Sequence, residues 1–289
     1  AKDSLIEKVE AGKRLYVRID DQDFAILEPG TRIKISCQTK GGDKETLFCD
    51  PVGRNARIAL GRISTELNEA TPGNGILEVR GNDQITITYV DAHTAKKGFN
   101  EKRLKQVMVV GNGVARITDG SYQRNLPAAV LGKPLHLQIT DADHDVSDQA
   151  DQIEATIQIF RPKTSDEIDD ELAKRVASGE LTENTDGEDL KSQINPLLMV
   201  RSIPVSLREQ ERRGTFRLAI PLRLGSAHGT LTGQPGQIIR LVYRDDQNLS
   251  KDTIVRTAET RIIEGNLGEV RVTRTEISDE ELRLKTQLR

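Results

Sequence analysis

The chain has 289 residues, enough for two domains of ordinary size. Only 3% of the residues are aromatic and tryptophan is absent, which favours several thin aliphatic cores over one large aromatic core. The formal net charge of −3 gives no signal for nucleic-acid binding, and the absence of an apolar run of about 18 residues predicts no membrane span.

Two copies of one pattern lie in tandem along the chain. The offset between them grows from 120 to 154 because the second copy holds a polar insertion, residues 163–196. Repetition over this length predicts two copies of one structural unit. The matched stretches pair residues 15–23 with 135–143, residues 85–91 with 239–245, and residues 113–118 with 268–273.

Apolar and polar residues alternate within both copies, as in Leu15, Val17 and Ile19 and again over residues 153–159. Every second side chain faces the same side of a sheet, so each run predicts a half-buried strand. About seven such strands separated by Gly, Asn, Asp and Pro are typical of a β-sandwich. The predicted fold class is all-β: tandem immunoglobulin-like β-sandwiches with one short helical insertion.

The insertion is the acidic part of the chain. Residues 141–195 hold 16 acidic and 5 basic residues. Residues 165–176 start with acids and end with bases, which suits the helix macrodipole, and Ile168, Leu172 and Val176 share one face. The pattern predicts a short amphipathic helix capped by Ser165, followed by a loop. It is either a solvated decoration of the sandwich or a contact element between subunits.

Three short cues mark the second copy: a strand leading into an Asp-rich loop, a Glu-to-Gly-x-Phe turn, and a closing strand that ends in Tyr-x-Asp. The first copy repeats them with a degraded middle turn around residues 50–58. They resemble the tandem immunoglobulin-like repeats of large bacterial and archaeal cell-surface proteins. This resemblance implies extracellular or cell-surface structural material, and it implies no particular binding partner. In the second copy the cues are residues 132–143, 209–216 and 236–245, and in the first copy the outer two are residues 12–23 and 81–91.

An acidic turn in the second copy is the strongest candidate for an ion site. Asp141, Asp143, Asp145, Asp148 and Asp151 supply hard oxygen ligands of the kind that Ca²⁺ prefers. The stretch lacks the central glycine and terminal glutamate of an EF-hand loop. Because of its oxygen ligands, we predict calcium as the one candidate cofactor. The alternative is an acidic turn whose aspartates cap backbone N–H groups and bind no ion.

Cys37 and Cys49 are the only cysteines, and they flank a turn at residues 41–43. A hairpin with a five-residue loop over residues 41–45 would place them opposite each other, which predicts a disulfide and an oxidising exterior. Two buried thiols are the alternative.

Nothing in the chain suggests catalysis. The four histidines have no metal-ligand spacing, and no nucleophile elbow, phosphate loop or dinucleotide fingerprint occurs. We interpret residues 111–113 as the tip of a hairpin. The prediction is that the protein is not an enzyme.

The order of the matched stretches divides the chain into three parts. Residues 1–98 form an incomplete sandwich, residues 99–250 a complete one, and residues 251–289 a strand pair and tail. An incomplete sandwich exposes unpaired backbone groups and an open core, and a tail docked into the next molecule would cover both. The predicted assembly residues are Ile254, Ile262, Ile263, Val270 and Val272.

These features predict an extracellular structural protein whose only partner is itself. Head-to-tail contacts are heterologous, so they generate rings or filaments. The predicted product is a filament, sheath or surface layer built by strand complementation. The alternative is a fragment of a longer repeat-array adhesin whose sandwich loops bind a glycan or a protein.

Overall fold

A computed structural model describes residues 7–28, 30–53, 56–94, 98–180, 191–224, 229–250 and 252–265, which form two β-sandwiches in tandem. The first contains β1 (Glu7–Glu10), β2 (Arg14–Asp20), β3 (Ile33–Thr39), β4 (Lys44–Pro51), β5 (Ile58–Leu67), β6 (Ile76–Val79), β7 (Gln84–His93) and β8 (Phe99–Val110). The second contains β9 (Val114–Thr118), β10 (Ala128–Val130), β11 (Pro134–Thr140), β12 (Gln152–Pro162), β13 (Leu197–Glu209), β14 (Thr215–Arg223), β15 (Leu231–Thr232), β16 (Ile238–Asp245) and β17 (Ile254–Ile263).

The two sandwiches share one strand order. The hydrogen-bonded path runs β1-β8-β7-β3-β4-β5-β2 in the first and β10-β17-β16-β12-β13-β14-β11-β9 in the second. Strand β1 pairs parallel with β8, just as β10 pairs parallel with β17. The exception is β9, which pairs antiparallel with β11 and has no counterpart beside β2 in the described part of the chain.

The cores follow the period-two alternation of the sequence. In β2 every second residue is buried, and Leu137, Ile157 and Phe216 of the second core are fully covered. The prediction of two aliphatic β-sandwiches is confirmed. Alternation determines the result because neighbouring side chains on a strand point to opposite faces of the sheet.

The predicted division at residues 98 and 250 is wrong. Strand β8 pairs with β7 from Gln84↔Met108 to His93↔Phe99, so the first sandwich extends to Val110. Each copy has one strand after its Tyr-x-Asp strand, and sequence reasoning assigned that strand to the following unit. Residues 111–113 therefore link the two sandwiches and are not a hairpin tip.

Strand β17 likewise belongs to the second sandwich of its own chain. It pairs antiparallel with β16 from Ile254 to Arg261 and parallel with β10 from Arg261 to Ile263, and Ile262 is fully buried in the second core. Ile254, Ile262 and Ile263 are therefore not donor residues for a neighbouring molecule, because their strand is already hydrogen-bonded within the second sandwich of its own chain. Val270 and Val272 lie outside the described residues.

Helix α1 spans Ser165–Ala177, as the charge pattern predicted. Its N-cap is Thr164 and not Ser165, because Thr164 and Glu167 form a reciprocal capping box. No residue of α1 is buried, and the helix is held to its base by the ion pairs Arg161–Glu167 and Lys163–Glu171. The loop predicted after the helix lies mostly outside the described residues.

The predicted disulfide is not formed. Cys37 pairs with Glu45 and Cys49 with Ile33, so the cysteines are four positions out of register, roughly 13 Å along a strand. A disulfide needs Cα atoms within about 7 Å of each other. Both thiols are free and fully buried.

We expect both thiols to resist alkylation at pH 8 in the native protein and to react once it is unfolded. Burial raises the pKa of Cys37 to about 12 and that of Cys49 to about 11, and only the thiolate is nucleophilic. Mass spectrometry after iodoacetamide treatment, with and without denaturant, measures this. A cross-linked Cys37–Cys49 peptide in unreduced protein would contradict it.

Candidate functional site

Three buried carboxylates meet where the two sandwiches join. Asp141 and Asp143 lie in the loop that follows β11, and Asp245 ends β16. One ligand atom of each lies within 4.8 Å of those of the other two. We call Asp141, Asp143 and Asp245 cluster 2, because these residues belong to the second sandwich.

Local hydrogen bonds hold the carboxylates of cluster 2 in place. Asp141 caps a single 3-10 turn by accepting from the Asp143 N–H, and its Oδ2 accepts from the Tyr243 hydroxyl at 2.5 Å. Asp245 Oδ2 accepts from Arg256 Nη2 at 2.9 Å. These contacts tie three separate strand ends to one point.

Like charges at this point are only partly balanced. Burial and the neighbouring Asp141 raise the pKa of Asp143 to about 8, and burial also raises that of Asp141. Arg256 is the basic group bound to the cluster, through Asp245. A charged form with three carboxylates and one guanidinium is costly at this depth.

The linker between the sandwiches closes over cluster 2. The Gly111 N–H donates to Asp143 Oδ1, and the Gly113 N–H donates to Asp245 Oδ2 at 2.9 Å. A side chain at either glycine would collide with the cluster, because a Cβ on Gly111 would overlap Asp141 Oδ1 and one on Gly113 would approach Tyr243 Cε1 at 2.6 Å. The glycines are needed for close approach.

The first sandwich adds further contacts across the junction. The Gly81 N–H donates to the Asp145 carbonyl at 2.6 Å, and Asn82 Nδ2 donates to the Asp143 carbonyl at 3.2 Å. Lys8 Nζ donates to the carbonyls of Asn248 and Ser250, each at 2.7 Å. The acidic loop is therefore part of the joint between the two units.

The five aspartates predicted to form one site are separated by the structure. Asp145 and Asp151 group with Glu209, which we call cluster 3, and Asp148 belongs to neither cluster. Asp148 is exposed and pairs with Arg80 at 2.5 Å. Within cluster 3, burial followed by the charge of Glu209 raises the pKa of Asp145 to about 6.

Sequence reasoning missed Asp245 and Glu209. A signal for both was present, since Asp245 closes the Tyr-x-Asp cue and Glu209 opens the turn cue. The spacing between them and the acidic loop, 58 to 104 residues, hides the contact in the sequence.

Cluster 2 has a counterpart in the first sandwich, formed by Asp21, Asp23 and Asp91 and called cluster 1. Its supporting contacts repeat as well. The Tyr89 hydroxyl donates to Asp21 Oδ2 at 2.5 Å, and Arg103 Nη2 lies 3.1 Å from Asp91 Oδ2. All three acids are half-buried, whereas those of cluster 2 are buried, because no linker covers cluster 1 in the described part of the chain.

Cluster 1 borders a groove of about 1170 Å³ between β2 and the β7–β8 pair. The groove occupies the place that β9 fills in the second sandwich, where β9 packs on β11 and also lies beside β16 and β17. The inward side chains of β2 retain 6–8% exposure, whereas those of β11 retain at most 1%. The first core is thus less well covered along this edge.

Within the described residues, no helix is long and apolar enough to cross a membrane. No protein-family model matches the sequence, and no curated protein matches it. The resemblance to bacterial and archaeal surface repeats therefore stays a prediction.

The solved structures that match the chain are similar to it only distantly. Trypsin-activated alpha-2-macroglobulin from Escherichia coli is 13% identical over 90% of this chain, with a TM-score of 0.24. Methylamine-reacted Salmonella alpha-2-macroglobulin gives 13% identity over 89% of this chain, also with a TM-score of 0.24. This chain spans only 15% and 14% of the two macroglobulins.

A tandem pair of titin immunoglobulin domains is 9% identical over 90% of this chain and 94% of its own length, with a TM-score of 0.25. The fold of the present chain is all-β and immunoglobulin-like, as its strand order and two sandwich cores show. Likenesses this distant say nothing about its activity.

Proposed function

We propose that the chain is an extracellular, non-catalytic structural protein whose copies join head to tail by strand addition. Residues 265–273 of one copy would dock in the groove beside β2 of the next. The observation that carries the proposal is the position of β9 in the second sandwich, because no described residue fills the equivalent position beside β2 in the first. An unpaired, partly uncovered edge strand is a ready template for another strand.

The sequence of residues 265–273 supports this occupant. It reads Gly-Asn-Leu-Gly-Glu-Val-Arg-Val-Thr, against Gly-Asn-Gly-Val-Ala-Arg-Ile-Thr for residues 111–118. The segment thus repeats both the glycine-rich linker and the alternating strand that follows it. Its two glycines would bring backbone N–H groups to Asp23 and Asp91, as Gly111 and Gly113 do at Asp143 and Asp245.

The register of β9 on β11 predicts the register of the docked strand. Val114 pairs with Thr140 and Thr118 with His136. By the repeat, Glu269 would pair with Asp20 and Thr273 with Tyr16. Val270 and Val272 would then point toward the first core, as Ala115 and Ile117 do in the second.

The alternative is a piece of a longer repeat-array adhesin. The alternative is favoured by the junction at residues 111–113. There the contact that we propose between molecules already exists between two consecutive sandwiches of one chain. In that case an upstream repeat would supply the strand to β2. The absence of the predicted disulfide removes one argument for an oxidising exterior, so the extracellular location rests on the resemblance.

Site-directed cross-linking tests the assembly. We expect a chain carrying Asp20→Cys to form a disulfide-linked heterodimer with a second chain carrying Glu269→Cys, because directly opposed residues have suitable Cα spacing. The buried Cys37 and Cys49 will not interfere. Arg18→Cys is the matched control, since it is exposed on the same strand two positions out of register.

Light scattering completes the experiment. Polymers that are lost when residues 266–289 are deleted would support head-to-tail assembly. A monomer whose first sandwich is stabilised by an added peptide of residues 265–273 would favour the repeat array. A monomer that neither cross-links nor responds to the peptide would show that β2 accepts no strand.

A further inference from the structure

We propose that cluster 2 binds a hard divalent cation of the Ca²⁺ type through the carboxylates of Asp141, Asp143 and Asp245. This inference concerns the joint inside one chain and does not depend on the proposed assembly. The ligand set differs from the five aspartates of one loop that the sequence suggested, because Asp245 comes from a distant strand end.

An uncommitted oxygen atom points to a missing ligand. Asp245 is fully buried, and within the described residues its Oδ1 has no hydrogen-bond partner, although its Oδ2 has three donors. Buried carboxylate oxygens are nearly always paired, and leaving one unpaired is costly. In cluster 1 the equivalent atom, Asp91 Oδ1, is unpartnered as well.

The donor chemistry selects the class of ion. Cluster 2 contains carboxylates and neither histidine nor cysteine, which suits a hard cation and not Zn²⁺ or Cu²⁺. One guanidinium, from Arg256, balances one of the three negative charges. A divalent ion would balance the other two.

A bound cation would also stiffen the joint. Asp143 and Asp245 accept the amides of Gly111 and Gly113, so an ion held by these carboxylates would fix the linker that connects the sandwiches. The same ion would tie the loop after β11 to the end of β16. Its effect would be to set the angle between consecutive sandwiches.

Calorimetric titration of the chelator-treated full chain with Ca²⁺ at pH 8 is the first test. We expect saturable binding, a higher melting temperature, and at least about a tenfold loss of affinity in Asp245→Asn, since even outer-shell changes cost 10–100-fold. Asp246→Asn, an exposed neighbour, is the matched control and should bind normally. Circular dichroism checks that both variants fold.

Terbium luminescence provides a readout that does not need Asp245 to be changed. The chain has no tryptophan, so tyrosines must sensitise Tb³⁺, and the Tyr243 hydroxyl lies 2.5 Å from Asp141 Oδ2. We expect Tyr243→Phe to lose most of the Ca²⁺-displaceable emission, and Tyr122→Phe to keep it. Asp91→Asn shows how much of the signal comes from cluster 1.

The outcomes decide the proposal. Absence of both Ca²⁺ binding and Tb³⁺ emission would mean that protons, not a metal, neutralise the cluster. Binding that survives Asp245→Asn but is lost in Glu209→Gln would assign the ion to cluster 3. Either result overturns the site proposed here.

Discussion

Replacing Ile262 by alanine is expected to destabilise the second sandwich by about 2–5 kcal/mol. Ile262 is fully buried, it belongs to the second core, and its Cδ1 packs against Gly233. Removing three carbons there loses transfer free energy and leaves a cavity that a hydrogen-bonded sheet cannot close. Urea denaturation measures the change in the free energy of unfolding.

Ile263 is the matched control for this experiment. It is the next residue on β17, faces the opposite side of the sheet and is 38% exposed. Ile263→Ala should cost less than about 1 kcal/mol, as surface substitutions do. Equal and small effects at both positions would mean that β17 is not part of its own core, and its role as a donor would have to be reconsidered.

Replacing Arg256 by methionine is expected to cost about 3–5 kcal/mol, the usual penalty for removing one partner of a buried ion pair. Arg256 donates two hydrogen bonds to Asp245, which is fully buried. Without the guanidinium, three buried carboxylates face each other with their nearest counter-charge removed. The measurement belongs in a chelating buffer, so that no cation replaces the lost charge.

Arg244 supplies the control for Arg256. It precedes Asp245 on β16, its side chain is 72% exposed, and its partner Asp246 is 3.8 Å away. Arg244→Met should leave stability nearly unchanged, because exposed ion pairs contribute little. A tolerated Arg256→Met would show that protons already neutralise cluster 2.

Features that depend on local pattern were predicted from the sequence. The strands around Leu15 and Ile157 follow from alternation, and α1 follows from its charge gradient and its apolar face. Its N-cap was missed by one residue because Thr164 and Ser165 are both good caps, and only the reciprocal bond with Glu167 separates them.

Features that depend on register were not predicted. Cys37 and Cys49 lie on the two strands of one hairpin. In the register of that hairpin they are four positions apart, so they do not face each other. The acidic loop was found, but its division between clusters 2 and 3 depends on Asp245 and Glu209, which reach it from other strands. Register is a property of two strands and their turn, so one strand's composition does not reveal it.

The sequence by itself determined that the chain is a duplicated all-β structure. The period of the apolar side chains and the internal repeat are both visible in the linear order of residues, without knowledge of which strands pair. Only the tertiary structure decided which sandwich each boundary strand joins. Strands β8 and β9 are contiguous in sequence apart from three linker residues, yet β8 pairs with β7 and β9 with β11. That choice depends on which strand offers free N–H and C=O groups and an uncovered core, and both are set by the folded chain.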